Sequence, residues 1–174
     1  MNRTQLEHVI RAAAAIAEDD ELVVLGSQAI LGAFPEAPPE LLASNEADVY
    51  PRNHPERADL IDGAIGELSP FHETFGYYAQ GVGPETAVLP PGWPERLVAV
   101  CGPGTRGATG WCLDPHDLVV SKLVAGRPKD LDYAAAAVRH GLVDPERLRA
   151  LAAVLALEPA LRAAVDARLA RLGA

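Results

Sequence analysis

Leu22-Val23-Val24-Leu25-Gly26-Ser27, followed by Glu46-Ala47-Asp48-Val49-Tyr50, is the pair of segments on which the fold turns. The first is a short apolar run closed by a Gly-Ser turn, the pattern of a buried strand. Gln28 to Phe34 reads as a helix starting directly after that turn, until Pro35, Pro38 and Pro39 break it. The second run alternates in character and stops at Pro51, so it reads as a second strand. Alternate side chains of a strand leave on the same face, which sets the carboxylates of Glu46 and Asp48 side by side.

Upstream, residues 4–18 read as an amphipathic helix. Thr4 and Glu7 have the spacing of a capping box, Leu6, Val9, Ile10, Ala13 and Ile16-Ala17 share a face, and Glu18-Asp19-Asp20 ends the helix. Downstream, a short helix is expected near Glu40–Leu42 and another over 56–67. Residues 69–83, rich in Gly, Phe and Tyr, carry no clear pattern. Thr86–Leu89, Leu97–Val100 and Gly110–Leu113 read as three strands between Pro/Gly turns. Asp114-Pro115 is an N-cap followed by a first-turn proline, opening a helix through Leu118, Val119, Lys122 and Leu123. Further helices are expected over 129–140, from Asp144-Pro145 and from Glu158-Pro159. The last two carry Leu148, Leu151, Leu155, Leu161, Val165 and Leu169, which can pack on the core or on a second copy. The order gives an α+β class with a core over 1–135 and a C-terminal helical part of the same domain over 136–174.

Composition narrows the function classes. The chain has 174 residues, of which 49% are hydrophobic and only 5% aromatic, so Leu, Val, Ile and Ala must build the core. Residues 1–90 hold 4 Lys/Arg against 15 Asp/Glu, whereas residues 91–174 hold 11 against 9. An acidic chain of net charge -9 is not a general nucleic-acid binder, and sequence-specific DNA binding is not expected, although a local basic pocket fits the second half. Two cysteines, Cys101 and Cys112, make no disulfide framework and read as reduced core thiols. The N-terminus carries no apolar signal core and no apolar run approaches the ~20 residues that span a bilayer, so a cytoplasmic protein is expected.

Three constellations can carry chemistry. At Gly26-Ser27 a glycine allows close backbone approach, and Ser27 with the following helix N-terminus offers donors to a phosphate; a plain tight turn has the same sequence. Glu46-x-Asp48 pairs two like charges that repel unless a cation lies between them, and a hard divalent ion such as Mg²⁺ takes such oxygens along with water and substrate phosphates. A solvated strand face is the alternative there. In Asp117–Asp132, Lys122 lies on an otherwise apolar helix and either snorkels to solvent or faces an anion that Arg127 shares. Asp130 can cap the next helix, and Asp130 and Asp132 are otherwise ordinary surface acids. Tyr77, Tyr78 and Trp93 can stack a base or equally belong to the core.

Together, Gly26-Ser27, Glu46-x-Asp48, Ser121-Lys122 and Arg127-x-Lys129-Asp130 resemble the minimal nucleotidyltransferase family that contains the AbiEii-type and MenT-type toxins. The resemblance spans roughly residues 20–135, and Ser69-Pro70-Phe71-His72 and Leu89-Pro90-x-Gly92-Trp93 add to it. It implies a small mixed sheet flanked by helices and a metal-dependent transfer of a nucleotidyl group from an NTP. On that reading Glu46 and Asp48 hold Mg²⁺ or Mn²⁺, Gly26 and Ser27 bind the triphosphate, Lys122 and Arg127 neutralise phosphate charge, and Asp130, with Asp132 as alternative, is a third acid. The acceptor it implies is RNA, including tRNA ends, or a protein, and an antitoxin is an implied partner. The chain departs from the pattern in two places: Glu46 stands where many members have Asp, and the Ser27–Glu46 gap is long. A member that binds a nucleotide or partner without catalysis is therefore the alternative.

Overall fold

The computed structural model describes residues 1–172. Helix α1 (Arg3–Ala17) buries Leu6, Val9, Ile10, Ala13, Ala14 and Ala17, the apolar face expected. Its capping box lies two residues earlier than the sequence suggests: Asn2 accepts from the Gln5 amide at 3.0 Å, and the Gln5 side chain accepts from the Asn2 amide at 2.8 Å. Asn caps as well as Thr, and Glu7 is engaged by Arg3 at 3.0 Å.

Strand β1 (Glu21–Leu25) is central in a five-stranded mixed sheet. It pairs antiparallel with β2 (Glu46–Pro51), Leu25 opposite Asp48, and parallel with β5 (Thr109–Cys112). The two edges are β3 (Tyr78–Gly81), parallel to β2, and β4 (Val98–Val100), antiparallel to β5. With neighbours on both sides, β1 buries Leu22 to Leu25, which is why its sequence is continuously apolar rather than alternating.

The expected helix after Gly26-Ser27 is two short pieces, a 3₁₀ turn at Ser27–Ala29 and the four-residue α2 (Ile30–Ala33). The helix expected near Glu40 is a single 3₁₀ turn at Pro39–Leu41. Helix α3 (Ala58–Ile65) links β2 to β3, the crossover a parallel pair requires, with α4 (Pro70–Phe75) after it. The strand expected at Thr86–Leu89 is absent: a 3₁₀ turn occupies Pro84–Thr86, and the third strand is β3, inside the stretch that showed no pattern.

Four helices complete the described residues: α5 (Pro115–Ala125), α6 (Pro128–Arg139), α7 (Pro145–Ala153) and α8 (Pro159–Leu172). Asp114 and Asp144 cap α5 and α7 as their Asp-Pro pairs predict. Helix α6 runs across residue 135, so the core and the helical part share it. Leu148, Leu155, Val165 and Leu169 are buried within this chain, and Arg168 donates to the Leu123 and Val124 carbonyls at the end of α5. Helix α5 is buried nearly all round. Its Asp117, fully buried, is held by a two-pronged Arg96 contact at 2.8 Å for each bond. Cys112 is a buried free thiol, whereas Cys101, expected in the core, is exposed beyond the end of β4. No helix among the described residues is long and apolar enough to cross a membrane.

Candidate active site

One cleft of about 780 Å³ is lined by Gly26, Ser27, Glu46, Asp48, Lys122, Arg127, Lys129, Asp132 and Tyr133, with Glu40, Leu41, Ala43, Ser44, Gln80, Val82 and Thr86 around them. Three sequence segments far apart in the chain meet there because β1 and β2 pair and α5 and α6 pack over their ends.

Gly26 is where β1 stops against β2. Its φ of +61° favours glycine, and a Cβ there would lie 1.9 Å from Asp48 Oδ2. The absence of a side chain at Gly26 is thus what lets the Asp48 carboxylate sit against the turn. Two further bonds fix the turn: buried Gln28 donates to the Ser44 carbonyl at 2.9 Å, and the Tyr133 hydroxyl donates to the Ser27 carbonyl at 2.9 Å. The short α2 builds little macrodipole, so the phosphate-binding helix terminus expected after Ser27 is reduced to the turn's own donors.

Glu46 and Asp48 share a face of β2, as the alternation predicts, and both line the cleft. Burial, a hydrogen bond shared with Glu46 and the Glu46 charge push the Asp48 carboxyl up to about 7, against the opposing pull of Lys122 and Arg127. In a pair of acids like this the second negative charge is costly near neutral pH unless a positive charge lies beside it. Among the described residues no third His, Cys, Asp or Glu joins them in a metal-binding group. That donor set fits Mg²⁺ or Mn²⁺, which complete their shells with water and substrate phosphate, better than a metal that needs a closed protein cage.

Lys122 does not snorkel. It is 8% exposed, its Nζ lies 3.2 Å from Asp130 Oδ1 and 4.5 Å from the centre of the Tyr133 ring. Burial lowers its pKa, and Asp130 holds it back up. Arg127 grips the same Asp130 with Nε at 2.6 Å and Nη2 at 3.2 Å while its side chain stays 62% exposed toward the cleft. Burial works against ionised Asp130, but the Arg127 hydrogen bond and the Lys122 charge outweigh it and leave its pKa lowered.

Asp130 is therefore not the cap expected of it. Pro128 is the first residue of α6 and Arg127 the N-cap, which puts Asp130 in the first turn, facing inward. It sits behind the two cations, away from the cleft lining, whereas Asp132 lines the cleft. Of the other basic residues of this half, Lys129 also lines the cleft and Arg96 is committed to Asp117. Tyr77 is buried against His8, with a 2.7 Å bond to its Nδ1, and is no base platform. The Tyr78 hydroxyl donates to Glu46 Oε2 at 3.0 Å, and burial with the nearby Glu46 pushes that phenol up to about 12. Trp93 lies outside the cleft lining.

Sequence reasoning missed Tyr133 and the contact of Tyr78 with Glu46. Tyr133 follows Asp130 by three residues on α6, a spacing that puts both on one helix face. Tyr78 is directly opposite Glu46 in the β2–β3 register, which becomes visible only once the edge strand is placed.

No curated protein matches the chain, and no solved structure does. One family does match, over residues 4–163, and it is described as a nucleotidyltransferase of unknown function, DUF6036. That match includes α1 and most of the C-terminal helices, well beyond the segments that resemble the AbiEii-type and MenT-type toxins, and it does not name the toxin branch. With the sheet, the Gly-Ser turn and the paired acids in one cleft, the chain belongs to this nucleotidyltransferase family.

Proposed function

We propose that this protein is a metal-dependent nucleotidyltransferase that moves a nucleotidyl group from an NTP to a hydroxyl of an RNA acceptor, tRNA ends included, forming a phosphodiester at the α-phosphorus as the α–β anhydride bond breaks and pyrophosphate leaves. The convergence of Glu46-x-Asp48, Gly26-Ser27, Lys122 and Arg127 on one cleft carries the reading. Glu46 and Asp48 would hold Mg²⁺ or Mn²⁺. When bound, the ion supplies charge neutralisation on the phosphates.

The remaining work falls to the chain's own side chains. The exposed Arg127 guanidinium and the Lys122 ammonium, held as cations by Asp130, stabilise negative charge on the phosphates as it redistributes. Asp130 acts through them, as a positioning residue. Asp132, an acid on the cleft wall, is the carboxylate available to the acceptor hydroxyl. Tyr133 keeps the Gly26-Ser27 turn at the end of the Lys122 side chain, so the phosphate donors and the cations keep a fixed spacing, as orientation effects demand.

The test is to incubate the purified chain with each of four α-³²P NTPs, Mg²⁺ and total bacterial RNA. Label in RNA with one nucleotide preferred supports the reading. Label on protein instead moves the acceptor to a hydroxyl of the chain itself. Nucleotide binding without transfer to either supports the inactive, binding-only alternative.

A further inference from the structure

A series of contacts outside the cleft ends on Glu46. Because β2 and β3 pair in parallel with Glu46 opposite Tyr78, the two side chains leave the sheet on one face, and the phenol donates to Glu46 Oε2 at 3.0 Å. The Tyr78 ring packs in turn against the His72 ring, centroids 4.6 Å apart. His72 is fixed from two sides. Its amide donates to Ser69 Oγ at 3.2 Å, the N-cap bond of α4, and its Nδ1 accepts from the Leu68 amide at 3.1 Å. Leu68 has a φ of +62°, a left-handed conformation unfavourable for a leucine. The Ser69-Pro70-Phe71-His72 segment, which the cleft itself does not use, thus builds a capped turn that places one imidazole.

We propose that Tyr78 is a positioning residue of the cation site, holding Glu46 by one carboxylate oxygen so that the other remains for the metal, with His72 wedging the Tyr78 ring in place. This rests on Glu46-x-Asp48 being the cation site. The physical need is specific to this chain's choice of acid. Glutamate has one more rotatable bond than aspartate, and immobilising it on a metal costs more side-chain entropy if nothing holds it beforehand. An octahedral ion at short metal–oxygen distances tolerates little misplacement. A hydroxyl directly across the sheet removes that freedom before the ion arrives. Partners of this kind change metal affinity by roughly 10–100-fold when removed.

The experiment is direct Mn²⁺ binding to the full chain, read by the electron paramagnetic resonance signal of free Mn²⁺, with no nucleotide present. Four proteins are compared: wild type, Tyr78→Phe, Glu46→Asp, and the double variant. Thermal melts confirm the fold, and the Phe ring keeps the His72 contact. Tyr78→Phe is expected to weaken Mn²⁺ by roughly 10–100-fold. In the Glu46→Asp background, where the shorter carboxylate no longer reaches the phenol, it should change binding less than 2-fold. Unchanged binding in Tyr78→Phe, or an equal loss in both backgrounds, overturns the positioning role and leaves the cation site standing. A wild type that binds no Mn²⁺ overturns the cation site and the positioning role together.

Discussion

Replacing Asp48 by Asn should stabilise the metal-free protein, although it removes the acid on which the proposed activity depends. The Asp48 carboxyl is raised from an ordinary 3.8 to about 7 by burial and by Glu46. The folded state therefore holds that proton more tightly than the unfolded chain. For a carboxyl shifted this way, its contribution to stability is fully present below pH ~4 and is lost as pH rises through about 7. A rise from 3.8 to about 7 corresponds to at most about 4 kcal/mol. The side chain lines an open cleft and is screened by water there, so about 2–3 kcal/mol is the expected penalty at pH 8. Asn has the shape without the charge and avoids it. For a chain of this length each kcal/mol moves the melting temperature by about 2–4 °C. Differential scanning calorimetry in EDTA should thus place Asp48→Asn roughly 5–10 °C above wild type at pH 8, with the gap shrinking toward pH 4.5. Millimolar Mn²⁺ should close or invert the gap, because only wild type offers the cation both acids. A variant that melts at or below wild type at pH 8 in EDTA would refute the claim that Glu46 and Asp48 form a strained acid pair.

Other substitutions probe the supports of the site. Gly26→Ala would put a Cβ 1.9 Å from Asp48 Oδ2 at a φ of +61°; it should cost about 1–3 kcal/mol by denaturant titration and abolish Mn²⁺ binding, since Asp48 must move. Asp130→Asn leaves Lys122 and Arg127 without their shared, fully buried counter-charge; urea melts should show a loss of about 3–5 kcal/mol, and NTP affinity should fall as the two cations lose their alignment. Native thiol titration should react with Cys101 alone and with Cys112 only after unfolding, because Cys112 is buried and its thiol is pushed up to about 12.

The central parts of this structure were legible because their chemistry is local. The apolar run Leu22–Leu25, the alternation of Glu46 and Asp48, and the Asp-Pro starts of α5 and α7 each carry their signal within a few residues. What was not legible depends on distant partners. Strand β3 is four residues at a sheet edge, defined by its pairing with β2 rather than by any pattern of its own, whereas Thr86–Leu89 has strand-forming residues but lies among Pro84, Pro90 and Pro91 with no neighbour to pair with. Two boxes of equal spacing compete at the start of α1, and the Arg3–Glu7 pair is part of what separates them. Asp130 looks like a cap in the sequence, but α6 begins at Pro128, so Asp130 is its third residue and its carboxylate is taken by Lys122 and Arg127. The acid pair and both cations were thus readable as residues, but the ionic partnership that aims the cations was not.

The measurement that bears most directly on the account is the rate of ³²P transfer from the preferred NTP to RNA by wild type and Asp48→Asn, in Mg²⁺ and in EDTA. The account predicts transfer by wild type in Mg²⁺, none in EDTA, and loss of transfer in Asp48→Asn, with the variant's fold checked first by calorimetry. Transfer by Asp48→Asn at the wild-type rate, or transfer undiminished in EDTA, would contradict it.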